Sequence, residues 1–564
     1  MNKTPLHKDI RLYTFLSIIA FLFVHHYAGY FGHYGFDDIM GYGYYGKKWA
    51  DGQLFFLNED FFSYRWGFIS LTGLFYALFG VNDDVSAITS SLVLLLTVLL
   101  IFKVLKKETR TVSVVAVLIY VLDNWTMYYS DKLMPDTSVA LATFAAFALI
   151  YTHHFERKGA QSFKYALLLS LVLIWAYMTK QSVLLLFPVF FLLLIIDVLQ
   201  KRYYQFWIYT TLCCVGMGLL YLFGIYLLTG DPLARFHAVE AGLDDNLGEG
   251  RSFAFCNYAI QPWNVLWNRI SYEMIDKSIR TGMMISLMLA LPAVFSHRFR
   301  DFITFNTPKA YWALVLVLSV LSSNFMTTSY KAYLPICPDI RHFLFLVPIA
   351  AVVAAPVLFD FAQKKEKKFV FILISVLVFA LAKYAEVGNF EWVYTAIMGL
   401  VILRSLLPNR NFIAGEFLFG IALAALAPIV SSMQTANKHS YVEQRAVIYK
   451  YLKDKKEPSI VITTVIQKNF GQYLLEFKEN GPVQFYDYGA LSELEFSPQT
   501  AVYVLVNGTT RYMPSFSYDA LPQCIKDCYE KKRQESIEVI YETEKVALYR
   551  LHQPQLLKGI YQKK

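Results

Sequence analysis

Four nearly uninterrupted apolar runs, FLSIIAFLFV (15–24), SLVLLLTVLLIF (91–102), LLLFPVFFLLLIIDVL (184–199) and FLFLVPIAAVVAAPVLF (343–359), leave this chain few ways to fold in water. A helix that crosses a bilayer needs about 20 mostly apolar residues, because it must pair its own backbone groups where no water can. With 564 residues, 56% of them hydrophobic, and a mean hydropathy of +0.39, the chain is too apolar for a set of soluble cores. The expected class is a polytopic α-helical membrane protein.

Thirteen spans are expected, near 12–30, 84–103, 112–128, 137–154, 164–178, 181–198, 207–228, 281–296, 311–328, 342–361, 369–382, 392–404 and 412–430. Alternate connections carry the cations: Lys103, Lys106, Lys107 and Arg110; Arg157 and Lys158; Lys201 and Arg202; Arg298 and Arg300; Lys364, Lys365, Lys367 and Lys368; Arg404 and Arg410. Positive residues stay on the cytoplasmic side, so the N-terminus is expected inside and, after an odd number of spans, the C-terminal tail outside. The same scatter removes nucleic acid as the partner implied by the net charge of +9, since no single basic face forms. Lys3, Lys8 and Arg11 precede the first apolar run as in a signal peptide, but no small-residue cleavage site follows, and the run reads as a retained anchor.

Residues 1–431 therefore read as a transmembrane domain with two long outer loops, 31–83 and 230–279. From 432 to 564 the composition becomes that of a small soluble α/β domain outside the membrane. Strands are expected in SIVITTVI, VQFYDYG, AVYVLVNG and SIEVIYETEKVALYRL, and helices over 438–454 and 518–534. It has no phosphate-binding glycine loop and no nucleophile motif. Asn507 opens a formal glycosylation sequon, NGT, but Asn-Gly is also the commonest tight-turn pair and the turn is favoured. Of six cysteines, Cys213 and Cys214 fall within a span, while Cys256, Cys337, Cys524 and Cys528 fall outside, where a disulfide is allowed. No metal cluster is legible.

The chemistry-bearing residues gather at outer membrane exits. In HYGFDDIMGYGYYGKKWADG (33–52), Asp38, Tyr42, Tyr45 and Trp49 are spaced to share one helical face, and Lys47 and Asp51 form an i,i+4 pair. The segment reads as a short interfacial helix with its aromatics at headgroup depth. One of the two acids at its start, Asp37 and Asp38, suffices as an N-cap, which leaves the other for a different task. Arg65 in SYRWG, Lys132 and Asp136 in SDKLMPD, Lys180 in YMTKQS, and Arg341 with His342 in CPDIRHF stand at further exits. Singly, each cation could be snorkelling to the headgroups. Together they suit an anionic phosphate, and the acids suit a base acting on a hydroxyl.

The order of these strings resembles the GT-C integral-membrane glycosyltransferases, specifically the group of protein O-mannosyltransferases and lipid A aminoarabinose transferases. The resemblance rests on the acidic pair after the first span, YRWGFISLTGLFYALFG, the Asp of KLMPD, TKQSVLLLFP and IRHFLFLVPIA, and covers most of residues 10–430. It implies transfer of a hexosyl or pentosyl group from a polyprenyl-phosphate sugar donor to an extracytoplasmic lipid, glycan or protein hydroxyl. It also implies a multi-pass protein of the cell inner membrane, with its site on the periplasmic side. Asp37 then takes the role of general base, with Asp38 and Asp136 as the other catalytic candidates. Arg65, Lys180 and Arg341 become candidates for the donor phosphate, and Lys132, His342, Tyr42 and Tyr45 for acceptor contacts or support. Where aminoarabinose transferases carry a Phe-Glu-Lys-Pro type string this chain has FSYRWG, which leaves the sugar and any divalent metal open. The loop 230–279 is too short for the β-trefoil of eukaryotic protein mannosyltransferases. The competing reading is a transporter or lipid-carrier flippase. That would call for internal repeats and charges at mid-membrane, neither of which is apparent. A sensor built on the outer domain would leave the acids of the first loop unused.

Overall fold

Small residues let the helices of this membrane protein approach one another. Helix Asp136–Tyr151 buries Ser138, Ala140, Ala142, Thr143, Ala146 and Ala148, and helix Leu346–Lys364 buries Ala350, Ala351, Ala354 and Ala355. Close van der Waals packing of this kind replaces the hydrophobic drive that is missing between helices in lipid. Asp136–Tyr151 packs on Ser162–Thr179, and Leu346–Lys364 packs on Met284–Val294. By contrast, Tyr204–Thr229 exposes Leu212, Leu219, Leu220, Phe223 and Leu227, as a lipid-facing helix would.

The computed structural model describes residues 9–28, 38–58, 60–248, 267–269, 273–327, 335–337, 339–434, 440–507 and 537–554. Asp37, Cys256, Cys524, Cys528 and the helix expected over 518–534 lie outside them, as does much of the 230–279 loop. Each of the thirteen expected spans coincides with a helix or, at 110–131, with a pair of helices. Among the described residues, eight helices are long and apolar enough to cross a membrane, or nine when Arg110–Val121 and Asn124–Asp131, bent by 66°, count as one span. The others expected, such as the 11-residue Met284–Val294, are shorter or less apolar. Some cations of the basic loops also hold helix ends. Arg404, fully buried, donates to the carbonyls of Ala362 at 2.6 Å and Gln363 at 3.2 Å, at the carboxyl end of Leu346–Lys364.

The chain forms two compact units. One comprises Met1–Phe23, Leu57–Phe68 and Ser90–Ser432, and holds most of the helices. The other comprises Val24–Phe56, Ile69–Thr89 and Met433–Lys564. The boundary expected at 432 is thus joined by two earlier segments that belong with the sheet. The sheet has five strands, β1 (Ser459–Thr463), β2 (Val483–Asp487), β3 (Ala501–Asn507), β4 (Ile537–Glu542) and β5 (Val546–Leu551), in the order β2-β1-β3-β5-β4. β1 pairs in parallel with β2 and β3, while β5 is antiparallel to both β3 and β4. Helices Tyr441–Tyr451 and Val465–Leu474 cover one face, burying Val447, Ile448, Phe470 and Tyr473 with Val461, Phe485 and Leu548.

Ile39 is part of that same core, which explains why the first-loop segment groups with the sheet. Tyr441 donates to Asp83 at 2.7 Å, Arg445 pairs with Asp83, and Ser86 lies 2.7 Å from the hydroxyls of both Tyr76 and Tyr473. The segment itself departs from the expected regular helix. Residues Ile39–Gly43 form a π turn before the α-helix Tyr44–Ala50. A π turn holds an extra residue, so the i,i+4 spacing of Asp38 and Tyr42 no longer fixes a shared face. Tyr42 and Tyr45 are nonetheless buried, and Lys48 reaches Glu479 at 2.7 Å.

Gly67 shows how tightly the helices meet. A Cβ there would lie 2.4 Å from Thr179 Oγ1, 2.7 Å from Thr179 N and 2.8 Å from the Trp175 carbonyl, and Trp175 Nε1 donates to Gly67 O at 3.0 Å. Two of those three neighbours are backbone, so Gly67→Ala should force the helices apart and destabilise by about 1–3 kcal/mol. Gly216→Ala, with nothing within 4 Å, serves as the control. Thermal unfolding of the detergent-solubilised protein distinguishes the two, and equal midpoints would refute the close approach.

Candidate functional site

A helix gives its side chains to one stripe of neighbours, so a cluster of charges needs several chain breaks to converge. Asp136 is the first residue of its helix, set by Pro135 at the N-cap. Lys180 is the C-cap of Ser162–Thr179, where the backbone turns extended (φ −160, ψ 130) before the 3₁₀ segment Gln181–Leu186. Arg341 and His342 lie on the 3₁₀ turn Ile340–Phe343, whose N-cap Asp339 accepts from Arg341 N at 3.1 Å. Arg65 ends the 3₁₀ turn Phe61–Tyr64, with its guanidinium 4.8 and 4.6 Å from the ring centres of Phe61 and Phe62.

Three of these breaks meet in direct contact. Lys180 Nζ donates to Asp136 Oδ1 at 2.6 Å and stands 3.0 Å from His342 Nδ1, which itself lies 3.7 Å from Asp136 Oδ1. An ammonium is only a donor, so His342 Nδ1 accepts and its proton resides on Nε2. Lys180 and Asp136 are buried, at 7% and 4% exposure. Burial pushes the Lys180 ammonium down to about 8, opposed by the Asp136 carboxylate, and the nearby Arg341 and Arg65 charges add to the depression. Burial and the Lys180 charge likewise push the His342 imidazole down, which keeps it neutral. The Ala142–Ala176–Val183 cluster, with Trp175 and Tyr177 against it, clamps the helices that carry Asp136 and Lys180.

Two features make this arrangement more than a structural ion pair. Asp136 Oδ2 is buried with no hydrogen-bond partner, and one of the three Lys180 N–H groups has no role in the two contacts above. The site therefore offers an acceptor and a donor, with the Arg341 and Arg65 guanidinium groups close by. Such an arrangement suits a group that is anionic and bears hydroxyls. Among the described residues, no group of three His, Cys, Asp or Glu side chains could hold a metal ion.

The remaining described candidates make other contacts. Lys132 pairs with Asp131 at 2.5 Å, both buried, and lies 5.0 Å from the Tyr128 ring centre. Asp38 is fully buried and acts as a cap, accepting from Ile39 N at 3.1 Å. Tyr42 and Tyr45 are buried in the unit that contains the sheet, and Asp37 is outside the described residues. Sequence reasoning passed over Arg235, in the DPLARFH segment. It is buried, donates to Tyr177 O at 2.7 Å and Tyr221 OH at 3.1 Å, and stacks 4.2 Å over Tyr177. Its one legible signal was a cation just after a span. Also missed was the chain Asp197–His154–His153–Ser162, with steps of 2.7, 3.0 and 3.1 Å, since its members are remote in sequence.

The buried pair makes a clear prediction. Lys180→Met leaves Asp136 uncompensated and should destabilise by about 3–5 kcal/mol, whereas adding Asp136→Leu should restore much of the loss. Unfolding midpoints of the two single variants and the double variant measure the coupling, and strictly additive losses would mean the pair does not interact.

Residues 68–225 match the family model for dolichyl-phosphate-mannose-protein mannosyltransferase. No curated protein matches the chain. A crystal structure of ArnT from Cupriavidus metallidurans bound to undecaprenyl phosphate is similar to it with a TM-score of 0.55 and 10% identity, over 95% of this chain and 97% of that one. The apo structure of the same ArnT gives 0.56 and 9%, over 96% and 98%. At such identity the likeness is one of fold, and it runs through both the helices and the C-terminal sheet. The chain is a multi-pass membrane protein of the GT-C fold that resembles the protein O-mannosyltransferase and lipid A aminoarabinose transferase group of integral-membrane glycosyltransferases.

Proposed function

We propose that this protein transfers a hexosyl or pentosyl group from a polyprenyl-phosphate carrier to a hydroxyl on the outer side of the membrane, with inversion at the anomeric carbon. The observation that carries this reading is the buried Lys180, held by Asp136 and His342 beside Arg341 and Arg65. Leaving-group phosphate develops negative charge as the glycosidic bond breaks, and preorganised cations in a dry site stabilise that charge far better than water does. The ArnT structure with undecaprenyl phosphate supports a lipid-phosphate donor in a chain of this fold. Asp136 Oδ2 is suited to accept a hydrogen bond from a hydroxyl of the sugar.

The outer side is favoured by the basic loops on the opposite side and by Cys337, which is disulfide-bonded five residues before His342. Because Asp38 makes the cap, we assign the base to Asp37. A positioned carboxylate contributes about 10²–10⁴-fold by removing the proton of the attacking hydroxyl.

Three outcomes are expected with purified protein and radiolabelled polyprenyl-phosphate sugars, tested on lipid and peptide acceptors. The parent protein should move label from carrier to acceptor, and recovery of all label on the carrier with every acceptor tried would count against transfer. Asp37→Asn should lose turnover at unchanged thermal stability, while Asp38→Ala should instead cost about 1 kcal/mol of stability. Arg341→Gln and Arg65→Gln should each weaken donor binding by about 1.5–3 kcal/mol, the worth of a charge-assisted contact. Normal donor affinity in both would overturn the phosphate assignment.

A further inference from the structure

The sheet of the C-terminal region has an edge that the proposed transfer does not use. β1 runs into helix Val465–Leu474 and returns as β2 on one side, while β3 lies on the other side of β1. The carboxyl ends of β1 and β3 are therefore adjacent. In α/β sheets ligands bind beyond the carboxyl ends of parallel strands.

At this edge the polar groups are buried and unanswered. Thr464 caps the helix by position, yet its side chain makes no capping hydrogen bond, and its Oγ1 is buried with no partner. The first-turn N–H groups thus have no acceptor from the cap residue. Gln467, in that same first turn, is 0% exposed, and neither its Oε1 nor its Nε2 has a hydrogen-bond partner. Helical side chains lean toward the helix N-terminus, which directs this amide back to the opening turn. The surroundings are fixed by their own bonds. Thr463 Oγ1 donates to Leu505 O at 2.7 Å, Asn507 Nδ2 to Gln444 Oε1 at 3.0 Å, and Gln444 Nε2 to Gln467 O at 3.1 Å. Lys468 and Asp487, at 2.5 Å, neutralise one another at the end of β2.

We propose that the carboxyl end of the β1–β3 pair, with Thr464, Gln467 and the amino end of helix Val465–Leu474, is a saccharide-binding site. Each buried polar atom without a partner costs about 1–3 kcal/mol, so a bound group that answers several at once gains what the free protein lacks. The edge presents both donors (the helix N–H groups and Gln467 Nε2) and an acceptor (Gln467 Oε1), with Thr464 Oγ1 able to act as either. Sugar hydroxyls both donate and accept, which matches that mixture. An oxyanion would want a cation, and Lys468 is already paired with Asp487. The inference does not rest on the transfer reaction, and its test uses no lipid donor.

Saturation-transfer NMR on the full-length protein in detergent, with D-mannose, D-glucose and L-arabinose as probes, and 31P line broadening of inorganic phosphate as the contrasting arm, decide it. Saturable binding of at least one sugar is expected at millimolar concentration, with affinity reduced about tenfold or more in Gln467→Leu and in Thr464→Val. Both variants should unfold no earlier than the parent in the absence of sugar, since they remove polar atoms that had no partner. Thr464→Val alters a single atom and keeps the test open should Gln467→Leu fail to fold. Absence of sugar binding, equal binding in parent and variants, or binding of phosphate alone would each overturn the proposal.

Discussion

Inside a bilayer, a helix can be interrupted only where the backbone groups set free by the break find partners. That constraint shapes the candidate site of this protein more than any single motif does. Pro135 needs no N–H partner at the start of the Asp136 helix, the N–H of Lys180 is still held by Ala176 O at 2.9 Å, and Asp339 caps the turn that carries Arg341 and His342. Each break exposes a polar side chain and satisfies its own backbone. A cluster of charges then becomes compatible with an otherwise apolar bundle.

The electrostatics follow from the same economy of partners. Lys180 would be too costly as an isolated buried cation, and Asp136 holds it at 2.6 Å. The pair is only partly self-satisfying, because Asp136 Oδ2 and one ammonium N–H are left over. Aligned donors and acceptors of this sort cost stability in the resting protein and favour a bound group that is charged and hydroxylated. Cation–π contacts with Phe61 and Phe62 help to hold the Arg65 guanidinium in place. A transporter would be expected to carry its charges along a path at mid-membrane, whereas Arg65, Asp136, Lys180 and Arg341 stand at helix ends.

The two units illustrate different degrees of legibility. The strands β1, β2, β3, β4 and β5 all fall within stretches whose alternating or β-branched residues announce them, although TTVI turned from strand into the start of a helix after Thr463. The first-loop segment was harder. Its aromatics were legible as a helix, but burial of Ile39 beneath the sheet depends on residues more than 400 positions away, and the π turn broke the spacing on which the shared face rested. The buried Asp197–His154–His153–Ser162 chain escaped notice for a similar reason. In the sequence it is two adjacent histidines near a span end, and nothing local marks Asp197, fully buried between Arg202 and Trp207, as their partner.

Hydropathy alone determined that this chain spans a membrane many times, where its helices lie and where a sheet begins, because these depend on composition and periodicity within about 20 residues. It also placed Arg65, Asp136, Lys180, Arg341 and His342 at helix ends, since charges are tolerated there. Tertiary structure decided which of them touch: Lys180 meets Asp136 and His342, residues 44 and 162 positions away, while Lys132 turns to Asp131 next to it. It decided also that Asp38 caps a π turn, and that the side chains of Gln467 and Thr464 end up buried near the carboxyl end of β1 without hydrogen-bond partners. Contact at long sequence separation is set by how helices and strands pack in three dimensions, and no periodicity along the chain encodes it.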